Sequence, residues 1–183
     1  FPYTTLFRSV DPLVLDLDGD GVETIALSKG LGGVHFNLDA KGLAENTAWV
    51  GKDDGLLVRD IDGDGRITSG RELFGNHTLL TKGANAGKEA ANGFEALKEL
   101  DSNSDGVIDA KDSGFSTLYV WRDSNSNGVT DQGELMAMTQ AGVKSLSVSY
   151  ISLDMADASG NHHLQLGGYT KSNGTTQKMD DSS

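Results

Sequence analysis

An Asp-Pro peptide bond lies at Asp11-Pro12, directly before a short apolar run and an acidic loop of sequence DLDGDG. The Asp carboxylate can attack its own main-chain carbonyl, closing a cyclic anhydride and expelling the proline nitrogen. The anhydride can then react with water, or with a lysine amine to give an Asp–Lys isopeptide bond. These residues are therefore a candidate self-cleavage site. Composition alone favours a chance occurrence of this dipeptide, because about one Pro in nine would follow an Asp in a chain with 20 Asp among 183 residues.

Four Asp- and Asn-rich loops follow along the chain and begin at Asp16, Asp60, Asp101 and Asp123. An EF-hand loop places oxygen ligands at positions 1, 3, 5, 7, 9 and 12, with Gly at position 6. Loop four fits throughout, and loop three has a shorter Asp at position 12. Loop two has Arg71 at that position, followed by Glu72. Loop one has Leu27 there, so it needs a distant ligand, a water or a weaker site.

Repeated sets of oxygen ligands favour Ca²⁺ over Zn²⁺ and Mg²⁺, so we predict Ca²⁺ as the cofactor. The candidate ligands of loop one are Asp16, Asp18 and Asp20. Those of loop two are Asp60, Asp62, Asp64, Arg66 (through its main chain) and Glu72. Those of loop three are Asp101, Asn103, Asp105, Val107 (main chain), Asp109 and Asp112. Those of loop four are Asp123, Asn125, Asn127, Val129 (main chain), Asp131 and Glu134.

Charge and composition exclude several classes of function. The formal net charge is −12, which four bound Ca²⁺ ions would reduce to −4. An acidic chain without a basic patch argues against a nucleic-acid partner. The absence of Cys excludes disulfides and thiolate zinc sites. No apolar run approaches the roughly 20 residues that cross a bilayer, so we predict no membrane span.

The residue pattern predicts an α+β fold. We expect a β-rich half over residues 10–80, an EF-hand-like helical pair over 92–141 and closing strands over 143–179. Residues 1–9 read as the in-frame translation of a common sequencing adapter, so we predict a non-native leader before a module at 10–183.

Local patterns place individual elements within this plan. Strands at 47–50 and 56–59 are predicted to form a hairpin, with Asp53 and Asp54 as turn formers. Phe94, Leu97 and Leu100 form the stripe of a short helix. Helices are also predicted at 115–121 and 135–138, and a closing hairpin is predicted from strands at 163–170 and 175–179.

Five stretches together resemble the self-processing module of RTX proteins, the FrpC-like family, over about residues 10–170. They are DPLVLDLDGDGVET, GVHFNLD, WVGKDDGLLVRDIDGDGRITSGRELFG, NGFEALKELDSNSDGVIDAKD and VWRDSNSNGVTDQGEL. In that family Ca²⁺ triggers cleavage of the Asp-Pro bond at the N-terminal edge of the module, and the new carboxy-terminal Asp can link to a lysine. The resemblance implies that Asp11 reacts, that Pro12 becomes the new N-terminus and that the acidic loops bind Ca²⁺.

The implied protein is secreted, bacterial and exported by a type I route without a classical signal peptide. We expect a monomer that processes itself once, with a lysine amine of itself or of another protein as acceptor. Cytosolic Ca²⁺ is too low to fill sensor-type loops, so processing would follow secretion. The competing class is a non-catalytic calcium-binding or adhesion module, dockerin-like at loops three and four.

Overall fold

The computed structural model describes residues 11–27, 33–158 and 160–182, and these residues form mainly antiparallel strands. The strands are β1 (Leu13–Leu15), β2 (Thr24–Ile25), β3 (Val34–Phe36), β4 (Glu45–Thr47), β5 (Trp49–Val50), β6 (Gly55–Val58), β7 (Val107–Ile108), β8 (Tyr119–Trp121), β9 (Leu135–Ala137), β10 (Val143–Ser147), β11 (Ile151–Ala156), β12 (His162–Lys171) and β13 (Thr176–Ser182). The helical elements of the described residues are α1 (Gly93–Lys98) and the 3₁₀ turns Gly83–Asn85 and Phe115–Thr117. The predicted leader lies outside the described residues.

One nine-stranded sheet dominates the fold, with the strand order β7-β10-β12-β13-β1-β6-β8-β9 and β11 also paired with β12. The long strand β12 pairs with β11 through its first half and with β10 through its second half. β1 lies between β13 and β6, so Asp11-Pro12 enters the sheet at an inner strand. Two small sheets, β2-β5 and β3-β4, complete the pairing.

Strand β1 is buried on both faces. Leu13 and Leu15 belong to one apolar cluster, which includes Phe94 of α1, whereas Val14 belongs to a second cluster around Trp121. Successive side chains of a strand point to opposite faces, so this short run supplies both cores. That is why its sequence is continuously apolar instead of alternating.

The predicted EF-hand helical pair is wrong, and with it the α+β fold class. In residues 92–141 the one α-helix is α1, which covers Phe94 and Leu97 as predicted. The predicted helices at 115–121 and 135–138 are a 3₁₀ turn and the strands β8 and β9, which pair with Trp121 opposite Leu135. Pairing between strands outweighs the helix propensity of Leu135–Ala137, and Tyr-Val-Trp favours a strand.

Two predicted hairpins have different outcomes. The closing hairpin is confirmed, because β12 and β13 pair along most of their length. The hairpin of residues 47–50 with 56–59 is wrong, because β5 pairs with β2 while β6 pairs with β1 and β8.

Among the described residues, no helix has the length and apolar character needed to cross a membrane.

Candidate functional site

The Asp11-Pro12 bond is held where the chain enters β1. The Asp11 side chain is buried, and its Oδ2 accepts a hydrogen bond from Asn76 Nδ2 at 3.1 Å. On one side the Leu13 amide donates to the Phe74 carbonyl at 2.7 Å, and on the other the Ser182 amide donates to the Pro12 carbonyl at 3.4 Å. Main-chain hydrogen bonds on both sides therefore fix the chain just after the bond.

Gly75 makes room for the carbonyl of that bond. A Cβ atom at Gly75 would lie 2.7 Å from the Asp11 carbonyl oxygen and 3.4 Å from Pro12 Cα. Thr78 holds this glycine in a tight turn, because its Oγ1 accepts from the Gly75 amide at 2.9 Å and donates to the Leu73 carbonyl at 2.7 Å. The chain after loop two is thus built against the Asp11 carbonyl.

Asp181 is a second buried carboxyl beside Asp11. Asp181 lies opposite Leu13 in the pairing of β13 with β1, and its side chain is fully buried. The Gly93 amide donates a hydrogen bond to Asp181 Oδ2 at 2.9 Å. Burial, aided by the negative charges of Asp11 and Asp180, raises the pKa of Asp181 to about 8. The structure therefore places a second carboxyl group, with a raised pKa, close to the carboxyl of the Asp-Pro pair.

The four acidic loops share one backbone conformation. Their residues at positions 4 and 6 all have positive φ, and they are Gly19, Gly21, Gly63, Gly65, Ser104, Gly106, Ser126 and Gly128. Positive φ is uncommon outside glycine, so its recurrence at two serines indicates the same imposed turn. The first carboxylate of each loop accepts main-chain amides of its own loop, as Asp60 does from Gly63 at 2.7 Å and Gly65 at 2.9 Å.

A second carboxylate closes loops three and four. Glu134 accepts from the amide of Ser124 near the start of loop four and from that of Asp131 near its end, both at 3.0 Å. Asp112 accepts from the equivalent amides of loop three at 2.8 and 3.1 Å. The residue at position 12 therefore ties the two ends of each loop together.

Loop two is closed by Glu72, one residue beyond position 12. Its carboxylate accepts from the Ile61 amide at 3.4 Å and from the Thr68 amide at 2.8 Å. Glu72 therefore closes loop two in the way that the carboxylate at position 12 closes loops three and four, a role that the Arg71 side chain cannot take.

Loop one is closed by Asp54, which the sequence pattern assigned to a turn. The Asp54 carboxylate accepts from the amide of Leu17 at position 2, at 3.2 Å, and from that of Glu23 at position 8, at 2.8 Å. The closing carboxylates of the other three loops accept from positions 2 and 9. Asp54 is fully buried, and burial raises its pKa to about 6. Nothing in the local spacing identifies this residue, because 37 positions separate it from Leu17.

The strands around loop one hold it firmly. The Tyr169 hydroxyl donates to the Asp16 carbonyl and the Lys171 ammonium to the Leu17 carbonyl, both at 2.7 Å. The Asp16 amide donates to the Lys178 carbonyl at 3.2 Å. The start of loop one is therefore fixed by β12 and β13, next to β1.

The ligand candidates of loops one and two lie close enough together to fit a hard divalent cation. In loop one and in loop two, oxygens of three carboxylates lie within 4.8 Å of one another. Like charges at this spacing repel, so a cation among them would stabilise the loop.

In loop three the Lys111 ammonium lies 3.5 Å from Asp105 and 3.3 Å from Asp109. In loop four the Asn125 and Asn127 amides donate to the carboxylate of position 9 at 2.8 and 2.9 Å.

Loops one, two and four are connected with the Asp-Pro bond, directly or through a neighbouring loop. β1 joins the Asp11-Pro12 bond to loop one, and the segment from Glu72 to Asn76 joins it to loop two. Loops two and four touch where the Ile67 amide donates to Thr130 Oγ1 at 2.9 Å. Order within loops one, two and four thus bears on the geometry around Asp11.

Comparison with known proteins identifies the family. Residues 13–183 match the SPM domain, so the chain belongs to the SPM domain family. The chain is also 47% identical over 175 residues to the "Iron-regulated protein FrpA" of Neisseria meningitidis serogroup C. That alignment covers 96% of this chain but 15% of FrpA, so the chain spans about 15% of the length of this curated relative.

Proposed function

We propose that this chain is a self-processing module that cleaves its own Asp11-Pro12 bond in the presence of Ca²⁺. The observation that carries the proposal is the confinement of this bond. Asn76 holds the Asp11 carboxylate at 3.1 Å, and Gly75 leaves space for the carbonyl that the carboxylate would attack. Holding both reacting groups of one residue in a fixed arrangement is what an intramolecular reaction requires.

The reaction uses the atoms of Asp11 itself. A carboxylate oxygen bonds to the main-chain carbonyl carbon, the C–N bond to Pro12 breaks, and the nitrogen takes up a proton. Water opens the resulting anhydride and leaves Asp11 as a free carboxy terminus. Alternatively, a lysine amine attacks the side-chain carbonyl, forms an isopeptide bond and loses a proton to solvent.

The candidate Ca²⁺ sites are the four acidic loops, with Asp54 as an added member of loop one. When bound, Ca²⁺ supplies positive charge that offsets repulsion among the clustered carboxylates and fixes the loops. Loop one is fixed directly after β1, and loop two is fixed directly before Gly75 and Asn76. The calcium dependence that we propose therefore acts through the position of the Asp-Pro bond.

We infer that the reaction takes place within a longer parent protein. The resemblance to RTX self-processing modules supports a secreted protein in which processing begins in extracellular calcium. Lysine amines of the same chain or of neighbouring proteins would serve as acceptors.

The test is a pair of variants. Asp11→Asn removes the nucleophile but keeps an acceptor for Asn76, and we expect no cleavage of the 11–12 bond in millimolar Ca²⁺ while the calcium-induced change in circular dichroism persists. Asn76→Ala leaves the nucleophile but removes the hydrogen bond from Asn76 Nδ2 to it, and we expect cleavage slowed by about 10- to 100-fold. Cleavage of Asp11→Asn at the wild-type rate contradicts the proposal. An uncut wild-type protein that still binds Ca²⁺ would instead place the chain among structural calcium-binding modules.

A further inference from the structure

We propose that Asp181 is the proton donor to the nitrogen of Pro12, an inference that rests on the self-cleavage proposed above. An amide nitrogen is a poor leaving group unless it is protonated as the C–N bond breaks, so the reaction requires an acid at this place. The Asp11 carboxylate is consumed as the nucleophile and cannot fill that role.

The sheet register brings Asp181 to the bond. Asp181 lies opposite Leu13 in the pairing of β1 with β13, and opposed residues of an antiparallel pair point to the same face. Asp11 precedes Leu13 by two residues, which makes Asp11 and Asp181 diagonal neighbours on that face. The next residue, Ser182, donates its amide to the Pro12 carbonyl at 3.4 Å, so β13 runs alongside the Asp-Pro unit.

The hydrogen bonding of Asp181 leaves one oxygen for a proton. The Gly93 amide donates to Oδ2 at 2.9 Å, which assigns Oδ2 the role of acceptor. The other oxygen, Oδ1, is buried and has no hydrogen-bond partner among the described residues. A fully buried carboxylate would be strongly disfavoured here, whereas a carboxyl with its proton on Oδ1 fits these contacts.

Charge supports the same assignment. The titratable groups beside Asp181 are Asp11 and Asp180, and Asp180 in turn bonds to His163. Burial and the two neighbouring carboxylates raise the pKa of Asp181 to about 8, so it keeps its proton near neutral pH. Two carboxyl groups with different environments thus divide the roles of nucleophile and acid.

The proton balance closes over the full reaction. Asp181 Oδ1–H gives its proton to the Pro12 nitrogen as the C–N bond breaks, leaving the Asp181 carboxylate and the anhydride. Water that opens the anhydride then returns a proton to Asp181. No other reactant is needed.

The experiment measures the first-order cleavage rate after addition of Ca²⁺ in the wild type and two variants. Asp181→Asn keeps the shape and an acceptor for the Gly93 amide, and we expect a rate about 100-fold or more below the wild type. The control, Asp180→Asn, removes a neighbouring buried carboxyl from the same strand. Because burial is the main cause of the raised pKa of Asp181 and Asp180 is a minor one, the rate of this variant at pH 7 should stay within about threefold of the wild type. Wild-type cleavage should also slow as pH rises above about 8, since the acid form is lost, and this decline should be absent in Asp181→Asn.

Each outcome decides between two claims. Cleavage of Asp181→Asn at the wild-type rate overturns the role of Asp181 but leaves self-cleavage intact. A wild-type chain that is not cut in Ca²⁺ overturns self-cleavage itself. If Asp181→Asn does not fold, the wild-type pH profile decides, and a constant rate between pH 7 and about 9.5 overturns the assignment.

Discussion

Gly75 is the residue at which geometry can be separated from chemistry. Its backbone does not need a positive φ, so alanine at this position would change only the available space. The added Cβ would lie 2.7 Å from the Asp11 carbonyl oxygen and would displace the bond from Asn76. For Gly75→Ala we expect cleavage to slow by about 10- to 100-fold, together with a loss of about 1–3 kcal/mol in the free energy of unfolding. Cleavage is measured by mass spectrometry and stability by urea unfolding.

The control for this variant is Gly114→Ala. The three nearest atoms to its Cβ would all belong to Leu100, the closest at 2.9 Å, and none to Asp11 or Pro12, so a similar loss of stability is expected without slower cleavage. If both variants slow the reaction equally, the effect is one of general stability and the close approach at Gly75 has no special role.

Asp54 is the residue at which loop one differs most from expectation. Asp54→Asn removes the charge that closes this loop, so we expect one class of Ca²⁺ site to weaken by about 10- to 100-fold in calorimetric titration. Asp53→Asn changes the neighbouring residue by the same substitution and should leave all affinities within about twofold. Equal titration curves for Asp54→Asn and the wild type would show that loop one does not depend on this carboxylate.

At the residue scale, short-range spacing predicts some of the site and misses the rest. The loop residues follow a fixed pattern within each loop, and the Asp-Pro bond is visible as a dipeptide. Asn76, Asp54 and Asp181 belong to no local pattern, because each contacts a residue far away in the sequence. Asn76 is 65 residues from Asp11, Asp54 is 37 residues from Leu17, and Asp181 is 88 residues from Gly93. Such residues become visible only when the sheet register is known.

At the scale of elements, the acidic loops keep their conformation without the pair of helices that flanks an EF-hand loop. Loop four is the connection of the β8–β9 hairpin, and it is held against β5 because Trp49 Nε1 donates to Asp123 Oδ2 at 2.8 Å in a buried position. The apolar residues around this loop suit a short helix or a short strand equally, which is why periodicity failed there. Cross-strand packing decided the outcome, with the rings of Trp49 and Trp121 only 5.5 Å apart.

Two tryptophan substitutions test this anchor. Trp49→Phe removes the side-chain donor to the buried Asp123 carboxylate, so we expect it to cost about 1.5–3 kcal/mol more in unfolding free energy than Trp121→Phe. Trp121 is fully buried, but its Nε1 has no partner among the described residues, so phenylalanine there removes only volume. Urea unfolding in saturating Ca²⁺ measures both values, and a larger cost for Trp121→Phe would contradict the anchoring of loop four.

At the scale of the whole molecule, the chain is a sheet protein in which loop one directly follows the inner strand β1, while loop three precedes the edge strand β7 and loop four joins β8 to the edge strand β9. The closing hairpin and the short helix α1 follow from their patterns, while the strand order could not be predicted because it depends on pairs far apart in sequence. β1 joins the Asp-Pro bond to loop one, and β13 brings Asp181 to the same place. The fold thereby brings loop one and a second buried carboxyl to the two ends of β1, next to a single Asp-Pro bond.

The most direct test of this account is the intact mass of the purified protein in millimolar Ca²⁺, in Mg²⁺ and in a chelator. We expect Ca²⁺ alone to yield a product beginning at Pro12 and a peptide ending at Asp11, together with any adduct of that peptide on an uncut chain, whose mass is the sum of the two minus water. Cleavage at another bond, or equal cleavage in the chelator, would contradict the central claim. An unchanged mass in Ca²⁺, with calcium-induced folding still observed, would contradict it as well.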